Sequence, residues 1–257
     1  IGFVIGGTAV LLALEPDFSA VLTLVMISSV ILFLANLDWK QIVLIVLIAA
    51  FSFFIIIRVT TTGSTRWGQF IMGYNDPQQA LTQVKRSIES VVNGGLFGVG
   101  IGQGTVKFTG LEVGQSDTIF TVIAEELGLL GCIGVVLLYL LFLWRGFKIA
   151  VDSDDLAGKL IAGGISSWIV LEAFINIASL FNIVPIGGNT LPFFSLGGSS
   201  LVSILTGIGF VLSVGRVNQI KKIEERSPFS AVVDLRWRDR RRSLPRTRRP
   251  ASPGRPL

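Results

Sequence analysis

Long apolar stretches dominate the first 215 residues of the chain. A helix needs about 20 predominantly apolar residues to cross a bilayer, and several stretches reach or approach that length. They are residues 19–37, 41–57, 118–144, 160–182 and 198–215. Residues 1–14 are also apolar, and we interpret them as the end of another span rather than as a signal peptide. The pattern predicts an all-α polytopic transmembrane helix bundle with about six spans.

Charges in the connections predict how these spans are oriented. Lys40, the connection 145–159 and the Arg-rich C-terminal tail fall on one face if the spans alternate. Basic residues in short connections mark the cytoplasmic side of a membrane protein. The long loop 58–117 and the turn 183–197 then lie on the extracytoplasmic side.

The long loop has internal patterns of its own. Apolar residues recur at helical spacing over Asp76–Val92, and the Asp-Pro pair that begins this segment is typical of a helix start. We expect an amphipathic helix at the membrane interface. The glycine-rich segment Gly98–Gly104 resembles a dinucleotide fingerprint, but no strand precedes it as that fold requires. We interpret it as a flexible membrane-surface loop whose amides could approach a lipid pyrophosphate.

Composition excludes several classes of protein. Only 15% of residues are charged and 51% are hydrophobic, whereas about 25% of residues in soluble domains are charged. The chain has no His and a single cysteine, Cys132. An internal disulfide, the common zinc sites and Ser-His or Cys-His catalysis are therefore excluded.

The net charge of +5 comes from the tail, residues 216–257. We expect this tail to be disordered and cytoplasmic and to lie on anionic lipid. No fold or aromatic pattern supports nucleic-acid binding. Residues 1–215 are predicted to form the membrane domain.

Five short segments then stand out in order along the chain. They are Leu14–Ser19 (LEPDFS), Asn75–Pro77 followed by Gln83, Gly94–Gly104, Ser116–Phe120 followed by Glu125–Gly128, and Leu191–Ser200 (LPFFSLGGSS). Together they resemble the motifs of the SEDS family, the FtsW/RodA/SpoVE group of cell-wall polymerases. Glu15 and Leu196 depart from that family's usual Gln and Tyr. Family members have ten spans, so the chain resembles the last six.

The resemblance implies a peptidoglycan glycosyltransferase that polymerises lipid II into β-1,4 glycan strands. It also implies a location in the bacterial cell membrane, with the active site on the extracytoplasmic face. A class B penicillin-binding protein is the implied partner. The sugar of lipid II leaves on a pyrophosphate, so the reaction needs one base and positive charge at the leaving group. Two alternatives stay open, a lipid II flippase and a noncatalytic scaffold. Carboxylates gathered at one face favour the enzyme over a transporter.

By the same resemblance, Asp117 is the catalytic carboxylate. A position directly before an apolar helix is also typical of an N-cap, which is the alternative interpretation. The carboxylate could act as the base or as the ligand of a divalent cation, Mg²⁺ or Mn²⁺; no other cofactor is implied. Asp17 has the same two interpretations, substrate contact or cap.

The remaining candidates for contact with the substrate have weaker sequence support. They are Arg58, Arg66, Lys107, Gly100, Gly102 and Ser199. Interfacial anchoring is the alternative for the basic residues, and tight helix packing is the alternative for Ser199. Glu125, Glu126 and Glu172 lie inside predicted spans, where we interpret Glu126 and Glu172 as interhelical hydrogen-bonding groups.

Overall fold

The structure is a computed structural model that describes residues 18–59, 61–106, 117–185 and 187–226. Helices and connecting turns make up all of this described part, which contains no strand. The helices are α1 (Phe18–Leu34), α2 (Trp39–Val59), α3 (Thr61–Asn75), α4 (Thr82–Gly94), α5 (Ile119–Val151), α6 (Leu156–Leu180) and α7 (Gly198–Arg226), with a 3-10 turn at Pro77–Gln79. The prediction of an all-α fold is confirmed for these residues.

Three helices of the described part are long and apolar enough to cross a membrane. They are α5, α6 and the Gly198–Ile223 part of α7, which correspond to the predicted spans 118–144, 160–182 and 198–215. The predicted spans 19–37 and 41–57 form α1 and α2, whose described apolar stretches are shorter. Exposed leucines line one side of α5, as expected for a surface that faces lipid.

Small residues let the helices pack closely. A Cβ atom on Gly146 of α5 would lie 1.9 Å from Oγ of Ser166 in α6, and one on Gly163 would lie 2.4 Å from Cδ1 of Leu34 in α1. Membrane helices associate through such close van der Waals contact, because apolar side chains gain nothing by leaving lipid. Helix α6 therefore packs against both α5 and α1.

The segment 58–117 contains more helix than the sequence pattern predicts. Helix α3 is not predicted, because its Gly, Thr and Ser residues leave no clear apolar stripe. The predicted helix Asp76–Val92 is wrong at its start, since α4 begins only at Thr82. Asp76 instead accepts a hydrogen bond at Oδ1 from the Gln78 amide over 2.9 Å and so caps the intervening 3-10 turn.

Helix α7 continues past residue 215 to Arg226. The first residues of the tail predicted to be disordered are therefore helical, because Arg216–Arg226 contains good helix formers and no Gly or Pro. Residues 227–257 lie outside the described residues.

Candidate active site

Asp117 lies immediately before α5. The helix begins at Ile119 and its N-cap position is Thr118, so Asp117 is one residue outside the cap. Its side chain is half-buried, whereas Thr118 is fully buried. Thr118 thus takes the N-cap position, and the carboxylate of Asp117 borders the turn described next.

A buried amide holds the backbone of Asp117. Asn176, near the end of α6, is 2% exposed. Its Nδ2 donates hydrogen bonds to the carbonyl of Asp117 over 3.0 Å and to the carbonyl of Asn189. Asp117 and Asn189, which are far apart in sequence, are thus both bonded to one side chain.

The turn 187–197 packs against the carboxylate of Asp117. Gly188 has φ of 78°, and a Cβ atom there would lie 3.7 Å from Oδ2 of Asp117. The hydroxyl of Tyr139 in α5 donates to the carbonyl of Pro192, which anchors the far side of the turn. The turn is therefore held at Asn189 and at Pro192, and its glycine lies next to the carboxylate.

The LPFFSLGGSS motif contains the second half of this turn. Oγ of Thr190 and Oγ of Ser200 are 3.1 Å apart and share a hydrogen bond. Ser199, one of the predicted substrate contacts, is exposed at the start of α7. The motif thus ties the turn to a third helix, α7, and leaves Ser199 accessible.

Helix α5 is broken at Gly128, which the sequence pattern did not predict. Gly128 has φ of 66° and ψ of −165°, outside the helical region. The amides that follow it do not bond to the carbonyls four residues earlier. Instead Leu129 N donates to Gly95 O over 2.9 Å and Leu130 N donates to Leu96 O over 3.2 Å.

The glycine-rich loop also occupies the carbonyls that this break releases. Val99 N donates to Glu125 O over 3.0 Å, and Gly100 N donates to Glu126 O over 3.1 Å. The amides of Val99 and Gly100 thus take the place of the Leu129 and Leu130 amides at these carbonyls, which ties this part of the loop to α5. Because the Gly100 amide already bonds to the protein, it is not available to bind an anion.

The carboxylate of Glu125 closes the loop. It is 2% exposed and accepts three hydrogen bonds, from Thr105 N (3.0 Å), Thr105 Oγ1 (2.9 Å) and Val106 N (3.0 Å). A Cβ atom on Gly104 would lie only 2.8 Å from Glu125 Oε2, so this close approach favours glycine. Charge-assisted bonds of this kind are about twice as strong as neutral ones. Glu125 therefore organises the loop.

Of the three basic residues predicted to contact the substrate, only Arg66 has its side chain in the part of the chain that the structure describes. Arg66 is half-buried in α3, which is attached to the end of α6 by a hydrogen bond from Asn182 Nδ2 to Phe70 O over 3.2 Å. Arg58 belongs to α2, and its side chain is outside the described residues, as are Asp17 and Lys107. Gly102 has φ of 83° and lies at the loop surface.

The other acidic residues of the spans are Glu126 and Glu172. Glu172 lies in α6, one turn after Trp168. Its Oε2 is buried without a hydrogen-bond partner among the described residues. Glu126 lies over Gly104, whose Cβ would be 3.2 Å from its Oε1. No three acidic or cysteine side chains of the described residues are close enough together to form a metal site.

Sequence reasoning missed Asn176 and Gly188. Asn176 does carry a signal, since a lone amide in an apolar span must find hydrogen-bond partners or a functional role. Gly188 carries none, because a glycine in a polar turn is ordinary and only the folded chain places it against Asp117.

Comparisons with known proteins identify the relatives of this chain. Residues 2–220 match the family profile described as "Cell cycle protein" (FtsW/RodA/SpoVE). The "Probable peptidoglycan glycosyltransferase FtsW" of Thioalkalivibrio sulfidiphilus is 38% identical, over 82% of this chain and 54% of that protein. "Stage V sporulation protein E" of Bacillus subtilis is 35% identical, over 80% of this chain and 56% of that protein. The chain thus spans about half the length of these curated relatives.

Solved structures show the same fold. The rod shape determining protein RodA of Thermus thermophilus is 26% identical with a TM-score of 0.56, over 84% of this chain and 55% of that chain. A peptidoglycan synthase complex that coordinates polymerization and crosslinking contains a chain with 26% identity and a TM-score of 0.65, over 84% of this chain and 61% of that chain. The profile match covers most of the residues, and so the chain belongs to the FtsW/RodA/SpoVE family of membrane proteins.

Proposed function

We propose that the protein is a peptidoglycan glycosyltransferase that polymerises lipid II into β-1,4 glycan strands, with Asp117 as the catalytic carboxylate. The observation that carries the proposal is the setting of Asp117. Its backbone is fixed by Asn176, and its carboxylate borders Gly188 in a turn anchored to other helices. An acid or base must be held in place to act on a bound hydroxyl, and this arrangement supplies that support.

The proposed reaction needs little more than one carboxylate. Asp117 takes the proton of the attacking sugar hydroxyl, the new glycosidic bond forms at the anomeric carbon, and the undecaprenyl pyrophosphate leaves with the bonding electrons. Arg58, Arg66 and Lys107 are the proposed positive charges for the pyrophosphate, with Gly102 as a backbone contact. A divalent cation on Asp117 would supply the same neutralisation.

Membership of the family supports the location and partner that we propose. The site is proposed to lie on the extracytoplasmic face of the bacterial cell membrane, where a lipid-linked disaccharide can be added to a growing strand. A class B penicillin-binding protein is the proposed partner, which would crosslink the strand. Support comes from the related chain in the peptidoglycan synthase complex, which couples polymerization and crosslinking.

The experiment that tests this proposal uses the purified full-length protein with its class B partner in liposomes. Fluorescent lipid II is added, and glycan strands are separated by electrophoresis. We expect a ladder of long strands that grows with time. Movement of lipid II across the bilayer without strand formation would support the flippase instead. Strand formation by the partner without this protein would support the scaffold.

A further inference from the structure

The glycine-rich loop presents apolar side chains to its surroundings. Leu96, Phe97 and Ile101 are 60%, 79% and 81% exposed, and Val99 is 43% exposed. Four exposed apolar residues within six positions form an unusual surface for a loop that faces water. They follow the amphipathic helix α4, and they do not belong to the proposed chemistry.

The hydrogen bonds between the loop and α5 determine the depth of this surface. The part of α5 from Leu127 to Trp144 has no charged residue, and its length of about 27 Å at 1.5 Å per residue matches the hydrocarbon core of a bilayer, about 30 Å. Leu130 lies about one turn inside this part, and its amide bonds directly to Leu96 O. Leu96 is therefore level with the edge of the hydrocarbon core.

The loop backbone is suited to that depth. Backbone groups in lipid must find partners within the protein, since no water is present to replace them. Gly98 N donates to Gly94 O over 2.7 Å, and the loop and the broken helix exchange four more hydrogen bonds at the Gly128 break. Leu127, Leu129 and Leu130 of α5 are exposed as well, so exposed apolar side chains lie on both sides of the break at Gly128.

We infer that the segment 96–101 inserts its apolar side chains into the adjacent leaflet of the bilayer, among the acyl chains. The insertion anchors the loop that carries Gly102 and Thr105 at the level of the lipid headgroups. The pyrophosphate of a lipid-borne substrate lies at this same level, a step of the inference that rests on the proposed function. The break at Gly128 thus serves to bring a loop, rather than a helix turn, to the membrane boundary.

Depth-dependent quenching tests this inference in the full-length protein. Cys132 and any other cysteine of the full-length protein are replaced by Ala, and a bimane fluorophore is attached to Phe97→Cys or, in a parallel sample, Ile101→Cys. The matched controls are Leu137→Cys, which is exposed within the charge-free part of α5, and Asp154→Cys, which is exposed between α5 and α6. Each sample is reconstituted with brominated phosphatidylcholine or exposed to aqueous iodide.

We expect brominated lipid to quench positions 97 and 101 at least about twofold more than position 154, and iodide to show the opposite order. Iodide quenching at 97 and 101 equal to that at 154 would overturn the inference by placing the loop in water. Protection from both quenchers would also overturn it, since another protein segment would then cover the loop. Because the readout is fluorescence, the result does not depend on lipid II polymerisation.

Discussion

The side-chain amide of Asn176 donates a hydrogen bond to the backbone carbonyl of Asp117 over 3.0 Å, from a position that is 2% exposed. This bond joins the end of α6 to the residue before α5. If it holds the carboxylate in place for reaction, Asn176 is a positioning residue. Its removal then affects the rate of the proposed reaction more than the affinity for substrate.

We predict that Asn176→Ala and Asn176→Asp in the full-length protein each lower kcat for glycan polymerisation by about tenfold or more, because small displacements of a reacting group are costly. Asp is similar in size but cannot donate the two bonds, so it separates loss of the donor from loss of volume. KM for lipid II is expected to change little. Asn93→Ala, at the exposed end of α4, is the control. Equal kcat values for all the proteins would contradict the positioning role.

Asp117→Asn is the direct test of the catalytic carboxylate. We expect at least about a hundredfold loss of polymerisation, the usual contribution of a positioned acid or base. Asn keeps the size of the side chain but neither takes a proton nor supplies a negative charge. Asp117→Glu is also expected to be impaired, because the added methylene displaces the carboxylate. The control is Asp154→Asn, and a wild-type rate for Asp117→Asn would exclude Asp117 as the catalytic residue.

Glu125→Gln tests the carboxylate that closes the glycine-rich loop. Gln can present only one oxygen to the three donors from Thr105 and Val106, and its NH₂ group faces a donor. We expect a loss of stability of about 2–4 kcal/mol, seen as a lower Tm in detergent. Glu89→Gln, exposed on α4, should leave Tm unchanged. Equal Tm values for the two variants would show that the loop does not depend on Glu125.

Gly128→Ala tests the break in α5. The positive φ disfavours Ala, and its Cβ would lie 2.4 Å from Gly98 N, so the variant should lose at least about 2 kcal/mol of stability. Gly134→Ala is the matched control, because no atom lies within 4 Å of its Cβ. That variant should be neutral or stabilised by up to about 1 kcal/mol, since Ala favours a helix over Gly. A regular helix through Gly128 would give both variants the same unfolding curve.

The side of the membrane can be tested with a matched pair of acidic positions. Glu89 on α4 and Asp154 between α5 and α6 are both exposed, and the charge pattern predicts that they lie on opposite sides. A cysteine at 89 should react with an impermeant thiol reagent on intact cells, and one at 154 only after permeabilisation. The reverse pattern would separate the proposed site from the proposed extracytoplasmic substrate.

The sequence by itself determined the features that depend on local composition. The long apolar stretches favour membrane helices at α5, α6 and α7, because charged side chains and irregular backbone are both costly in lipid. The order of the motifs identified the family and singled out Asp117. These signals are readable because each lies within one continuous stretch of chain.

Only the tertiary structure decided how those stretches meet. The break at Gly128 exists because Gly95 and Leu96 supply the carbonyls that Leu129 and Leu130 lose, and a hydrogen bond between distant segments leaves no periodic pattern in either. The support of Asp117 by Asn176 is of the same kind, since the two residues are adjacent only after α5 and α6 pack together. Local propensity determines which residues form helices, and long-range contact determines what those helices hold in place.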